Sequence, residues 1–69
     1  MVDIWGELGT AAGKTYSALD QAKKPQAMAD LKRLTKLDDM TLAMAVGWLA
    51  REEKVSLDRK GTIISVKLK

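Results

Sequence analysis

The sequence predicts an α+β fold in which three helices precede a C-terminal β-hairpin. Three observations carry that prediction. As far as Leu49, apolar residues recur at three- and four-residue steps, the spacing of one buried helical face. From Val55 onward the repeat becomes an alternation, which suits a strand with one buried face. Pro25 and Gly61, both turn formers, fall between the periodic stretches.

The first helical pattern spans residues 1 to 20, with Trp5, Leu8, Ala12, Tyr16 and Leu19 on one stripe. Gly6, Gly9 and Gly13 interrupt it, each at a cost of about 1 kcal/mol relative to Ala inside a helix. Either the helix starts late, near Thr10, or the glycines let another helix approach closely. The run Gly9-Thr10-Ala11-Ala12-Gly13-Lys14-Thr15 imitates a phosphate-binding loop. That motif needs four residues between its glycines and a strand before it. Three residues separate them here, no strand pattern precedes them, and the chain is too short for a nucleotide-binding sheet.

Gln21 to Gln26 forms the first connector. Pro25 bars a continuous helix and biases Lys24 toward extended backbone, so a short extra strand fits here. Met28, Leu31 and Leu34 mark a second, short helix, with Asp30 in its first turn. Thr35-Lys36 is then a tight link, in a place where glycine is common.

Leu37 to Val55 reads as one long helix passing directly into a strand, and the rest of the chain is arranged around it. Asp38 is a good N-cap, because its carboxylate accepts from the free N–H groups of the first turn, and Asp39 suits the positive helix end. Leu42, Ala45, Val46 and Leu49 form the buried face. Met40, Met44, Gly47, Trp48 and Arg51 make a second face. Apolar residues on two sides of one helix require a second burial partner. Two readings stand for Trp48: it packs under another part of this domain, or it meets a partner helix, most simply from a second copy. Met and Trp both suit such contacts. Met40, Met44, Trp48 and Arg51 are the candidate interface residues.

Val55 to Asp58 alternates as a strand, Arg59-Lys60-Gly61 is read as the turn, and Thr62 to Lys69 is the last strand. Ile64, Val66 and Leu68 point one way, with Ile63, Ser65, Lys67 and Lys69 pointing the other. An isolated hairpin is marginal, so its apolar face must lie on the helices.

Helix, short helix, tight turn, long helix and basic-tipped hairpin is the order of a winged helix-turn-helix domain, here one domain over residues 1–69. Leu8-Gly9, Ala12-Gly13, Tyr16, Leu19, Leu31, Leu37 and the run Gly47-Trp48-Leu49-Ala50-Arg51-Glu52 resemble a small prokaryotic family of such domains with no assigned activity. The resemblance covers nearly the whole chain and implies the fold. It implies function only through analogy with DNA-binding relatives of that fold.

Composition narrows the function classes. The 69 residues include no Cys and no His, which removes disulfides, the usual zinc and iron sites, and the commonest general acid–base group. No carboxylate pair marks a pocket, so the chain reads as a non-enzyme with no cofactor and no metal. No apolar run is long enough for a membrane span and no signal-peptide pattern leads the chain, so a cytoplasmic protein without membrane contact is expected. Twelve Lys and Arg against nine Asp and Glu give a net charge of +3, which permits double-stranded DNA or an acidic protein partner without requiring either.

Two function classes follow. In the first, the chain is a DNA-binding, transcription-regulator-like homodimer. Lys32, Arg33, Lys36, Arg59 and Lys60 would contact phosphates, and Thr41 is the sole nearby base-reading candidate. The exposed early turns of the long helix offer Asp39, Met40, Ala43, Met44 and Gly47, a poor set for base readout. In the second class the same fold serves protein–protein interaction through Met40, Met44 and Trp48. The ordinary role of scattered surface lysines, solvation, weighs against the first class.

Overall fold

The computed structural model describes residues 4–69. Helix α1 spans Ile4–Ala22, strand β1 Gln26–Ala27, helix α2 Met28–Thr35, helix α3 Asp39–Arg51, strand β2 Val55–Lys60 and strand β3 Ile63–Leu68. The architecture is the expected winged helix-turn-helix, α+β, with the short extra strand present. The part of the first helical stretch on residues 1–3 lies outside the described residues.

Helix α1 runs unbroken through Gly6, Gly9 and Gly13, so the late start is not taken. Close helix approach is not the reason for Gly9 and Gly13 either, because a methyl group added at either would meet nothing within 4 Å. The imitation phosphate loop is simply helix. Its core stripe is Ala11, Ala12, Thr15 and Leu19, with Leu8 packed beside it. Trp5 and Tyr16 flank that stripe and are 69% and 42% exposed. Thr15 sits fully buried without cost, because its hydroxyl donates to the Ala11 carbonyl at 2.8 Å.

The sheet has the order β1-β3-β2, all antiparallel. β1 joins it through Gln26, opposite Val66; the Gln26 side chain is buried and donates from Nε2 to the Pro25 carbonyl at 3.1 Å. Val55, Val66 and Leu68 face the helices, and they complete one core with Leu19, Leu31, Leu42, Ala45, Val46 and Leu49. Leu34, expected on the second helix's apolar face, is half exposed, and Thr35 takes the buried place instead.

The hairpin turn is shorter and later than the sequence suggested. Lys60 pairs with Ile63, which leaves Gly61-Thr62 as a two-residue loop and puts Arg59 and Lys60 in β2. Gly61 has φ +62° while Thr62 does not take a positive φ, the φ pattern of a type II′ turn.

All three helices close on a left-handed residue that is not glycine: Lys23, Lys36 and Glu53, with φ of 57°, 60° and 60°. After α3 the chain does not pass directly into a strand. Glu53 N–H donates to the Ala50 carbonyl and Lys54 N–H to the Leu49 carbonyl, a Schellman closure that turns the chain before Val55. No helix among the described residues is long and apolar enough to cross a membrane.

Candidate functional site

The helix-turn-helix is built from α2, three linking residues and α3. Lys36 N–H donates to the Lys32 carbonyl at 2.9 Å, which ends α2 in the left-handed region. The Thr35 hydroxyl then ties the turn from both sides: it donates to the Leu31 carbonyl at 2.7 Å and accepts from Leu37 N–H at 3.3 Å. Asp38 starts α3 as expected, accepting from Thr41 N–H at 2.7 Å. Those hydrogen bonds from Thr41, helped by the charge of Lys32, hold the Asp38 carboxyl below its ordinary range.

Charge on this face is largely cancelled. Lys32 Nζ lies 3.0 Å from Asp39 Oδ1, and Arg33 lies 3.3 Å from Asp30. Both pairs are exposed, so they add little stability. Their consequence is electrostatic: two of the three cations predicted to meet phosphate from this face, Lys32 and Arg33, already face a carboxylate. Thr41 is half-buried and turns toward α1, lining a shallow cleft with Gly6, Thr10 and Leu37. It is therefore not displayed for base readout.

What α3 displays is apolar. Met40 is 73% and Met44 40% exposed, with Ala43, Gly47 and Arg51 beside them. One further step along the same row, Trp48 is half-buried against the core. Its ring meets Trp5 of α1 at a centroid distance of 5.8 Å and a tilt of 59°, within the range of favourable aromatic pairs. Its Nε1–H donates to Glu52 Oε1 at 2.9 Å. Trp48 thus packs under another part of its own chain while its outer edge continues the Met40–Met44 row.

At the wing the two cations diverge. Val55, Leu57 and Arg59 share the sheet's inner face, and Ser56, Asp58 and Lys60 share the outer one. Arg59 and Lys60 are both exposed and start from opposite faces of the edge strand β2.

The sequence reading missed Lys23, Lys24 and Lys67. The first two sit in a connector read as a helix break with room for a short strand, and the third lies on the last strand. The β1–β3 pairing brings them to one cleft with Asp20, Pro25 and Leu68. The outward alternation of Lys67 was legible; the arrival of residues 23–25 beside it was not, because it depends on a two-residue strand.

The winged helix-turn-helix domain family model (DUF2582) matches residues 1–68. The chain is 36% identical over 70 residues to an uncharacterized protein, MJ1608, of Methanocaldococcus jannaschii, a match that covers 97% of this chain and 100% of that one. It is also similar to the solution NMR structure of protein BT2368 from Bacteroides thetaiotaomicron, at 38% identity and a TM-score of 0.81 over 91% of this chain and 76% of the other.

Proposed function

For a chain that belongs to the winged helix-turn-helix domain family (DUF2582), we propose a homodimeric binding module whose α3 face meets protein in place of base edges. One observation carries this reading: the outward row of α3 is Met40, Met44 and the edge of Trp48, with Trp5 extending it. Base edges present donors and acceptors, and Met40 and Met44 at the centre of this row offer no strong partner for them, while the Trp48 N–H is already given to Glu52. A second copy is the simplest partner, because a two-fold axis near Met44 sets one copy's Met40 against the other's Trp48 and buries both. The reading assigns binding, not catalysis, and a cytoplasmic setting.

Met40→Lys with Met44→Lys tests it. Both side chains are exposed and lysine is a good helix former, so the fold should survive. Sedimentation should show the wild-type chain as a dimer and the variant as a folded monomer, with dimer affinity weakened by a factor of about 100 or more, as for loss of central interface anchors. A wild-type chain that stays monomeric at high concentration sinks the reading.

DNA binding is the second reading, favoured by the fold and by Lys36, Arg59 and Lys60. Among the described residues none of these three has a carboxylate at ion-pair distance. Such binding would rest on phosphates and would weaken steeply with added salt.

A further inference from the structure

We infer that duplex DNA, if bound, is held on the outer face of the sheet and not on α2–α3. The inference rests on the second reading above and names its surface. Two adjoining clefts share Pro25 and Lys67. Lys23, Lys24 and Lys67 line one; Lys60, Ser56, Ser65 and Lys67 line the other. The first lies where the end of α1 meets β3, with Leu19 and Leu68 at its floor, and the second lies on the outer face of β2 and β3. They adjoin at Pro25 and Lys67, so the lysines run along one groove from the end of α1 round the sheet edge to the wing.

Its charge is unbalanced in favour of cations. Four lysines face two carboxylates, Asp20 and Asp58, and no ion pair forms among them. Around the α2–α3 turn, by contrast, three cations, Lys32, Arg33 and Lys36, stand among three carboxylates, Asp30, Asp38 and Asp39, and two of the cations are paired. Arg51, at the far end of α3, is a further cation unpaired among the described residues. Ser56 and Ser65 are half-buried residues of the second cleft whose hydroxyls make no hydrogen bond among the described residues, which leaves two donors for phosphate oxygens.

The lysines are also well placed. Lys23 is fixed by the left-handed closure of α1, and the Gln26 side chain pins the Pro25 carbonyl beside Lys24. Lys60 and Lys67 stand on paired strands. Lysine acts on phosphate as a point charge and carries no base code.

The occupant follows from what the groove lacks. No aromatic ring lines it, so it gives no stacking platform for the splayed bases of a single strand. A duplex presents phosphates outward and needs no such platform. Binding is therefore expected to be independent of sequence and carried by counterion release.

The test is a titration of the full chain with a mixed-sequence DNA duplex at low salt, followed by NMR and repeated across salt concentrations. Amide shifts should centre on Lys23, Lys24, Ser56, Ser65 and Lys67. Lys24→Ala with Lys67→Ala should weaken affinity about tenfold at low salt and lower the salt slope by about 2, one phosphate contact for each lysine. Lys32→Ala with Lys36→Ala should change affinity less than about threefold.

Binding lost in the Lys32 and Lys36 variant but kept in the Lys24 and Lys67 variant would overturn the groove while leaving DNA binding intact. No binding at low salt would overturn both. If polyglutamate of matched charge moves the same amides with the same affinity, the groove selects negative charge alone and the assignment to duplex DNA falls.

Discussion

The outward face of α2–α3 and the outer face of the sheet are built on opposite rules. On α2–α3, Lys32 and Arg33 meet Asp39 and Asp30, and the exposed centre of the face is Met40 and Met44. On the sheet and the α1–β1 connector beside it, Lys23, Lys24, Lys60 and Lys67 stay unpaired among the described residues, with Ser56 and Ser65 near them. The element that this fold commonly uses to read DNA thus carries cancelled charge and apolar side chains. The charge imbalance sits elsewhere. Architecture states which element projects, and only the residues on it state what it touches.

Both faces hang on one core, and removing it is the largest perturbation. Leu31 is fully buried, where α2 meets α1, α3 and the sheet. Leu31→Ala should cost about 3 kcal/mol, the transfer term plus a cavity. In a domain of this size that is a large part of total stability. Thermal melting should show a steep drop in midpoint, with self-association and DNA binding lost together. Survival of either activity at the wild-type melting point would mean that the two faces do not share a frame.

The sequence carried the frame more clearly than the faces. The step of three and four residues located α2 and α3, and Asp38 placed the start of α3 correctly, because a cap is a local device. Burial of Leu42, Ala45, Val46 and Leu49 followed from the same spacing. The hairpin was legible as a hairpin, but its turn was displaced by two residues, since Arg59 and Lys60 tolerate strand or turn and only pairing decides. Trp48 could not be assigned from its own helix, because its neighbour Trp5 lies on α1, far away in sequence. The groove lysines were the least legible. Their meeting depends on long-range pairing of β1 with β3, and no periodicity announces that.

Acid should separate the two faces next. The Asp38 carboxyl is held below its ordinary value of 3.8 by the Thr41 hydrogen bonds. A carboxylate with a depressed folded value contributes stability above its unfolded value and loses it as pH falls through the folded one. The first turn of α3 should therefore loosen below the ordinary carboxylate range. Amide signals of Asp39 to Thr41 should move there in an NMR pH titration, while those of Lys67 and Leu68, which pair with Ser56 and Val55, stay in place. Asp38→Asn, which keeps a cap without the charge, should flatten that response. Equal movement on both faces would show that acid acts on the whole fold, and the contrast between them would lose this support.

The smallest effect is the most discriminating. Lys36 closes α2 at φ 60°, a region where a side chain costs roughly 1 kcal/mol and glycine costs little. Lys36→Gly removes that strain and should raise stability by up to about 1 kcal/mol, a rise of a few degrees in the melting midpoint. The same substitution also removes the one cation of α2 and the turn that has no carboxylate partner among the described residues. If DNA affinity is unchanged in a more stable variant, the charge of Lys36 contributes nothing to DNA binding, and the α2–α3 face is left to protein. If stability rises while affinity falls, the strain is tolerated because the charge is used, and the two faces share the nucleic acid between them.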